Sequence, residues 1–551
     1  MLKGILKRRV RLDFVHRRDD ARLAKLGYRS EFKRDFSVRP FTPLKSCGGL
    51  MLRLVFALTS VTTTFSFPLV TAGHIGMTIG WIIPSLFVLC VVLSMAELAS
   101  AMPTSAGLYY FSAKLAPPKW APMISWITAW TNVTGQILLV CSIDFTLAQM
   151  ITTGIAVGSD GRVVLGPGPT FGILLALLAS QAIVVPANSR FLARISVITG
   201  IVNVSTTIAV SIALIVLPGS ERTPAKDAFG LLTNNSGWKS DGWAFVLSFT
   251  SAMWCLTGYD ASAHISEELS DAARSAPVAI IAGVLGTQTL GLLLYIGASF
   301  ASSNLQRILD SDLPMPMGQV YLDTFGKKGM LAVWSMCIFV GWVNGVTQSV
   351  DASRVTFAVA RDNALPGSRW WKQIHPVTRT PVYAVWLVLA VSAVLGVIVW
   401  SDTALSSLAG ATVVGLYTSY AVPILLRITS GHKNFKPGPF TLGRFSRPIG
   451  AIAVAWSFFA DVMLLFPLNP RINSSQDMNF AVVIVVIVFT ISALSWILSA
   501  RKWFTGPIPN ITADEIARSE ARAASRDDEE DSSSVEKEIV RVRENSASEK
   551  E

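Results

Sequence analysis

The stretch W-C-L-T-G-Y-D-A-S-A-H-I-S-E-E, residues Trp254 to Glu268, decides how the chain is read. An apolar segment of membrane length begins at about Trp243, and partway along it turns polar and gains a glycine at Thr257, Gly258, Tyr259 and Asp260. A helix facing lipid would not carry a carboxylate there. An ionisable group inside a bilayer is expensive, so it marks a functional site unless something else explains it.

The rest of the chain fits a membrane setting. Hydrophobic residues make up 51% of its 551 residues and charged residues 15%, against about 25% charged in ordinary soluble domains; mean hydropathy is +0.49. Apolar runs of about 20 residues recur, the length a helix needs to cross ~30 Å of hydrocarbon, without the short alternation of a barrel. Twelve spans are expected, at 50-72, 79-100, 123-151, 170-187, 193-217, 243-266, 278-300, 329-356, 382-400, 404-427, 448-468 and 480-499. The net charge of +11 does not point to nucleic acid, because the basic residues are clustered. They precede span one (Lys3 to Arg39) and fill alternate loops, at Lys114 and Lys119, Arg190 and Arg194, Arg361 to Arg379 and Lys433 to Arg447. That bias places both termini in the cytoplasm. Residues 1-46 read as a basic cytoplasmic tail near anionic lipid, 47-500 as the membrane domain and 501-551 as a cytoplasmic tail too polar to fold alone. Cys47, Cys90, Cys141, Cys255 and Cys337 read as small apolar fillers, with no disulfide, metal or cofactor implied.

Polar residues inside the spans supply the candidate chemistry. Span one carries Ser60, Thr62, Thr63, Thr64 and Ser66 before Pro68, hydroxyls that either re-satisfy a bent backbone or meet a ligand. Arg53 sits close enough to its end to snorkel. Glu97 ends span two as a gate or packing contact. Asn132 and Gln136 share one face of span three, suited to hydrogen bonds between helices or to a ligand, while Asp144 is placed near the outer end, where hydration is cheap. Spans four and five read as plain apolar helices. Asn344, Gln348 and Asp351 form a polar face on span eight; spans nine to twelve offer Asp461 and no assigned chemistry. His264, Glu267 and Glu268 read as a hydrated inner half-helix, with His264 and Glu267, like Glu97, as gate or coupling candidates. Asn234 and Asn473 open N-x-[ST] acceptors in external loops.

Interrupted helices in corresponding positions of two halves mark secondary transporters built from inverted repeats. The polar interruptions in spans one and six are five spans apart, which implies a five-plus-five repeat with two accessory spans. Asp260 then either caps the inner half-helix or acts as a counter-charge or proton-linked group. The expected substrate contacts are Thr62, Thr63, Trp254, Gly258, Tyr259 and Asp260, joined by Asn132, Gln136 and Asn344; Trp254 and Tyr259 could stack a quaternary ammonium. A nutrient receptor built on a transporter fold is the second reading. A membrane enzyme is the third and weakest, since the five histidines are scattered with no nucleophile and base pair.

Five blocks in order carry a resemblance: L-G-Y-R-S-E-F-K-R-D-F-S at 26 to 37, A-E-L-A-S-A-M-P-T-S-A-G-L-Y-Y ending span two, S-W-I-T-A-W-T-N-V-T-G-Q in span three, G-Y-D-A-S-A-H-I-S-E-E in span six and S-R-V-T-F-A-V-A-R-D-N-A-L-P after span eight. Together they resemble the fungal amino acid/choline transporter family of the amino acid-polyamine-organocation superfamily, over about residues 26 to 500. The resemblance implies an all-α LeuT-like membrane fold and proton-coupled uptake of amino acids, GABA or choline, with the plasma membrane as its setting. One departure stands out: Phe56 occupies a place where the family usually has glycine, and Arg53 is unusual. A bulky side chain there restricts close backbone approach.

Overall fold

The computed structural model describes residues 15–16, 18–29, 57–186, 189–401, 403–471, 473–474, 477–519 and 521, so Cys47, Arg53, Phe56 and most of both tails lie outside the described residues. Among the described residues there is no strand. Ten helices are long and apolar enough to cross a membrane. They are His74–Ala101, Ala121–Gly158, Pro167–Val184, Arg194–Val216, Ala272–Ala301, Pro316–Arg361, Val382–Trp400, Ala404–Ile428, Gly443–Leu464 and Phe480–Lys502, matching spans two to five and seven to twelve.

The two spans that escape a length criterion are the two whose sequence turns polar. Span one is Ala57–Thr64 followed by Ser66–Thr71. Span six is Asp241–Leu247, Phe249–Cys255 and Ala261–His264. With them the chain is an all-α, multi-pass integral membrane protein of about twelve spans. The two interruptions differ in kind. Phe65, between the pieces of span one, keeps helical angles (φ −54°, ψ −31°), and its carbonyl still accepts from Leu69 N; the segment bends rather than opens. In span six the helix stops at Cys255, and Gly258 takes φ 78°, a left-handed conformation open to glycine and strained for most residues.

Span three, 38 residues long, is the central post, packed against spans eight and ten. Its crossing with span ten is backbone on backbone. A Cβ on Gly415 would lie 3.1 Å from Gly135 Cα, and one on Gly135 would lie 2.9 Å from Leu416 N. Small residues allow such an approach between membrane helices. Here it brings Asn132 and Gln136 level with Ser419 and Tyr420.

Both described terminal segments lie on one face, called here the terminal face. Asn510 N donates to Gly27 O and Arg29 N to Asn510 Oδ1, while Ile508 N donates to Asp362 Oδ1 beyond span eight. Tyr28 and Tyr109 donate to Asp362 Oδ2. Burial pushes the Asp362 carboxyl up, against the pull of Arg361 and the two phenols.

Candidate functional site

The break in span six positions Asp260 at the N-cap of Ala261–His264, yet its side chain makes no capping bond. The carboxylate turns into the bundle instead. It is fully buried (0% exposed). Its Oδ2 accepts from Asn132 Nδ2 (3.1 Å) and Gln136 Nε2 (3.0 Å), and its Oδ1 from Tyr420 OH (2.8 Å). His264 Nε2 lies 3.0 Å from the same Oδ2. Span eight joins through Gln348, whose Nε2 donates to Gln136 Oε1. A buried carboxylate is tolerable when several donors replace its water, and spans three, six and ten supply them.

The histidine adds a proton count. Its Nδ1 lies 3.2 Å from Ser105 O, a carbonyl that only accepts, while Nε2 faces a carboxylate. Both contacts are satisfied when the ring is doubly protonated, or when Asp260 holds the proton and gives it to Nε2. In either of those states the Asp260–His264 pair would hold one proton more than a neutral imidazole beside an ionised carboxylate. His264 is also pressed against Gly107, where a Cβ would come within 2.7 Å of its ring.

The other expected contacts fall in different places. Tyr259 packs at a tilt of 37° against Tyr420, ring centroids 4.7 Å apart, inside the Asp260 cluster. Trp254 points elsewhere and donates from Nε1 to Ser142 Oγ at 3.3 Å. Thr62 meets Tyr321 OH at 3.3 Å and Thr63 bonds back to Ser60 O at 3.0 Å. Thr64 meets Ser251 Oγ at 2.8 Å, tying the two broken spans to each other. Asn344 is buried with Oδ1 unpaired. In the loops, Asn234 is engaged through Nδ2 with Trp238 O and Asp241, with Ser236 buried, while Asn473 is exposed.

Four expectations need correction. His264, Glu267 and Glu268 are buried rather than hydrated. Glu267 accepts from Ser105 N and Ser105 Oγ and lies 3.8 Å from Arg361; Glu268 pairs with Arg354 at 2.9 Å. Both arginines extend span eight as helix, so the acids meet a packed element and not a loop. Glu97 likewise accepts from Thr441, Leu442 N and Ser446 and lies 3.8 Å from Arg427. Asp144 is fully buried, because span three continues for fourteen residues beyond it to Gly158. Spans four and five are not purely apolar in their contacts: Gln181 donates to Asp144, and Asn203 Oδ1 accepts from Leu58 N. Span ten carries chemistry through Tyr420 and Ser419, the latter accepting from Asn132 at 3.2 Å. The sequence signal for it was the Tyr417–Tyr420 pair, three apart and so on one helix face. Thr257, in the break itself, is buried with its hydroxyl unpaired and was passed over as a contact.

Comparison with known proteins bears on what this architecture does. A sequence profile described as amino acid permease matches residues 51–489. The chain is 34% identical over 515 residues to amino-acid permease BAT1 of Arabidopsis thaliana, covering 89% of this chain and 96% of that one. It is 33% identical over 497 residues to an uncharacterised amino-acid permease of Schizosaccharomyces pombe, covering 90% of each. It is 29% identical over 504 residues to a GABA-specific permease of Saccharomyces cerevisiae, covering 90% and 87%. On the profile match and these relatives, the conclusion is that this chain belongs to the amino acid permease family and is an amino acid transporter.

Proposed function

We propose that the protein is a proton-coupled importer of small solutes with a cationic nitrogen, working by alternating access around broken spans one and six, with the solute held at Asp260. The Asp260–His264 pair carries the reading: a buried carboxylate beside an imidazole with an acceptor on each nitrogen is a place to store and release one proton. A carboxylate also suits the one group that amino acids, GABA and choline share, a cationic nitrogen. The Tyr259–Tyr420 ring pair offers faces to a quaternary ammonium by cation–π attraction. An entering ammonium would take over Asp260 from the Asn132 and Gln136 amides, loosening span six from span three as it binds.

The five-plus-five inverted repeat, with solute near the midplane, fits the spacing of the two interruptions. We read the terminal face as cytoplasmic, because the clustered basic loops favour that side. On it the pairs Glu267–Arg361, Glu268–Arg354 and Glu97–Arg427 form the inner gate. Residues 1-46 and 501-551 are then cytoplasmic tails, the basic first one near anionic lipid, flanking a transporter domain of 47-500 in the plasma membrane. The protein is read as a carrier, with no catalytic role.

The test is uptake into proteoliposomes of the full chain, with radiolabelled GABA, choline and neutral, basic and acidic L-amino acids. Thermal shift in detergent runs beside it; a ligand at 100 times its Kd stabilises by ~2.7 kcal/mol. Accumulation of at least one solute driven by an inward proton gradient is expected. Stabilisation by a solute that is never transported would replace the carrier by a receptor.

A further inference from the structure

Asp144, on span three, is a second fully buried acid beside Asp260 of span six, and the transport site above makes no use of it. Eight residues beyond Gln136, it lies about 12 Å further along the helix, away from the terminal face. One donor reaches it: Gln181 Nε2, from span four, at 2.6 Å from Oδ1. Its Oδ2 is buried without a hydrogen-bond partner. Span eight closes over it at Gly345, where a Cβ would lie 2.7 Å from Asp144 Oδ1 and 2.4 Å from Gln181 Nε2. Gln181 is held in turn by Ser349, whose Oγ donates to Gln181 Oε1 at 2.8 Å.

The groups facing Asp144 leave its charge unbalanced. Span four presents a neutral amide, and span eight presents the Gly345 backbone and, through Gln181, the Ser349 hydroxyl. Its titratable neighbour, Cys141, is on its own helix, and no salt bridge among the described residues reaches it. Asn344, the residue before Gly345, also has a buried Oδ1 without a donor. Asp144 Oδ2 and Asn344 Oδ1 are each a buried acceptor oxygen without a hydrogen-bond partner among the described residues. A carboxylate with one oxygen unsolvated in apolar surroundings is among the most unfavourable states a protein can hold.

We propose that Asp144 is a proton-binding carboxyl, protonated while spans three, four and eight are packed together and ionised when span eight withdraws and water enters. Protonation adds a hydrogen to Oδ2 and removes the charge; no other bond changes. Because Gly345 has no side chain, span eight can rest directly on the carboxyl, so the state of the proton and the position of span eight are linked. A proton arriving from the face opposite the termini would meet Asp144 before Asp260. The part Asp144 plays in coupling rests on the proton-coupled reading above; its occupancy by a proton does not.

The test is infrared spectroscopy of the reconstituted full chain at neutral pH, comparing wild type with Asp144→Asn. A protonated carboxyl gives a C=O band, downshifted in deuterium oxide, in wild type that is absent from Asp144→Asn. Asp144→Glu serves as the control for folding, since a carboxyl restored at that position returns a band. Carboxyl regions that are superimposable in wild type and Asp144→Asn would overturn the proposal. In proteoliposomes, whichever of GABA, choline or L-amino acids wild type accumulates under a proton gradient is expected to accumulate at least tenfold less in Asp144→Asn. Unchanged accumulation would overturn the coupling role. Should wild type accumulate none of them, the transport reading fails and the infrared result alone decides the site.

Discussion

Asp260 and Asp144 are both fully buried carboxyls in contact with the polar side of span three, yet the protein treats them in opposite ways. Asp260 collects amide donors from span three, a phenol from span ten and the imidazole of its own segment. Asp144 receives one amide donor and leaves an oxygen bare. What separates them is the backbone beside each. A broken helix with Gly258 lets Asp260 turn into the bundle, where side chains converge. A continuous helix pinned against Gly345 gives Asp144 no room for further partners. Both carboxyls are proposed proton sites, and Asp260 is the proposed solute site as well.

That contrast can be broken from the saturated side first. Asp260→Ala takes the partner from two amides, a phenol and an imidazole at once, and each buried unpaired group costs about 1–3 kcal/mol; uptake in proteoliposomes should fall below detection. Glu268→Ala extends the comparison to an acid whose partner is a charge. It takes the carboxylate away from the buried Arg354 guanidinium, a loss of up to about 3–5 kcal/mol, read as a large fall in Tm. Tyr420→Phe keeps the ring packed against Tyr259 and deletes one bond to Asp260. A hydrogen bond to a charged group contributes roughly 1.5–3 kcal/mol to stability, so Tm should fall, and KM should rise with it because the phenol also positions the Asp260 carboxylate. Gly345→Ala probes the half-satisfied side: its methyl must displace Gln181 or Asp144, at about 1–3 kcal/mol, read as a lower Tm with KM little changed. Thr62→Val removes a contact with Tyr321 that lies outside the Asp260 cluster. The loss is about 1 kcal/mol of stability, and a large effect on KM would show that Thr62 touches the solute after all.

The sequence made the membrane class, the spans and the anomaly at Asp260 legible, because hydrophobic length and an acid in an apolar run are local signals. It also showed that Asn132 and Gln136 share a face, since helical spacing is local too. The partners were hidden because they depend on which helices cross. Tyr420 and Ser419 enter the site because Gly135 and Gly415 let spans three and ten touch; the spacing of Tyr417 and Tyr420 marks a shared face within span ten but not the helix that face meets. Asp144 was misjudged for a related reason: the apolar run suggests a span ending near 151, whereas the helix continues to Gly158 and carries the acid deep into the protein. The hydroxyls of span one imitated a break. Thr62 and Thr64 instead bind Tyr321 and Ser251 across the bundle, and the backbone beside them only bends.

The central claim is that the solute's cationic nitrogen is held at Asp260 and that this site shares a proton with His264. The most direct measurement is equilibrium binding to purified wild type and Asp260→Asn of the radiolabelled solute that wild type accumulates, whether GABA, choline or an L-amino acid, at several pH values. The account predicts binding to wild type that varies with pH and a loss of at least a hundredfold in affinity in Asp260→Asn, with the variant still folded. Equal affinity in the two proteins, with the same pH dependence, would contradict it.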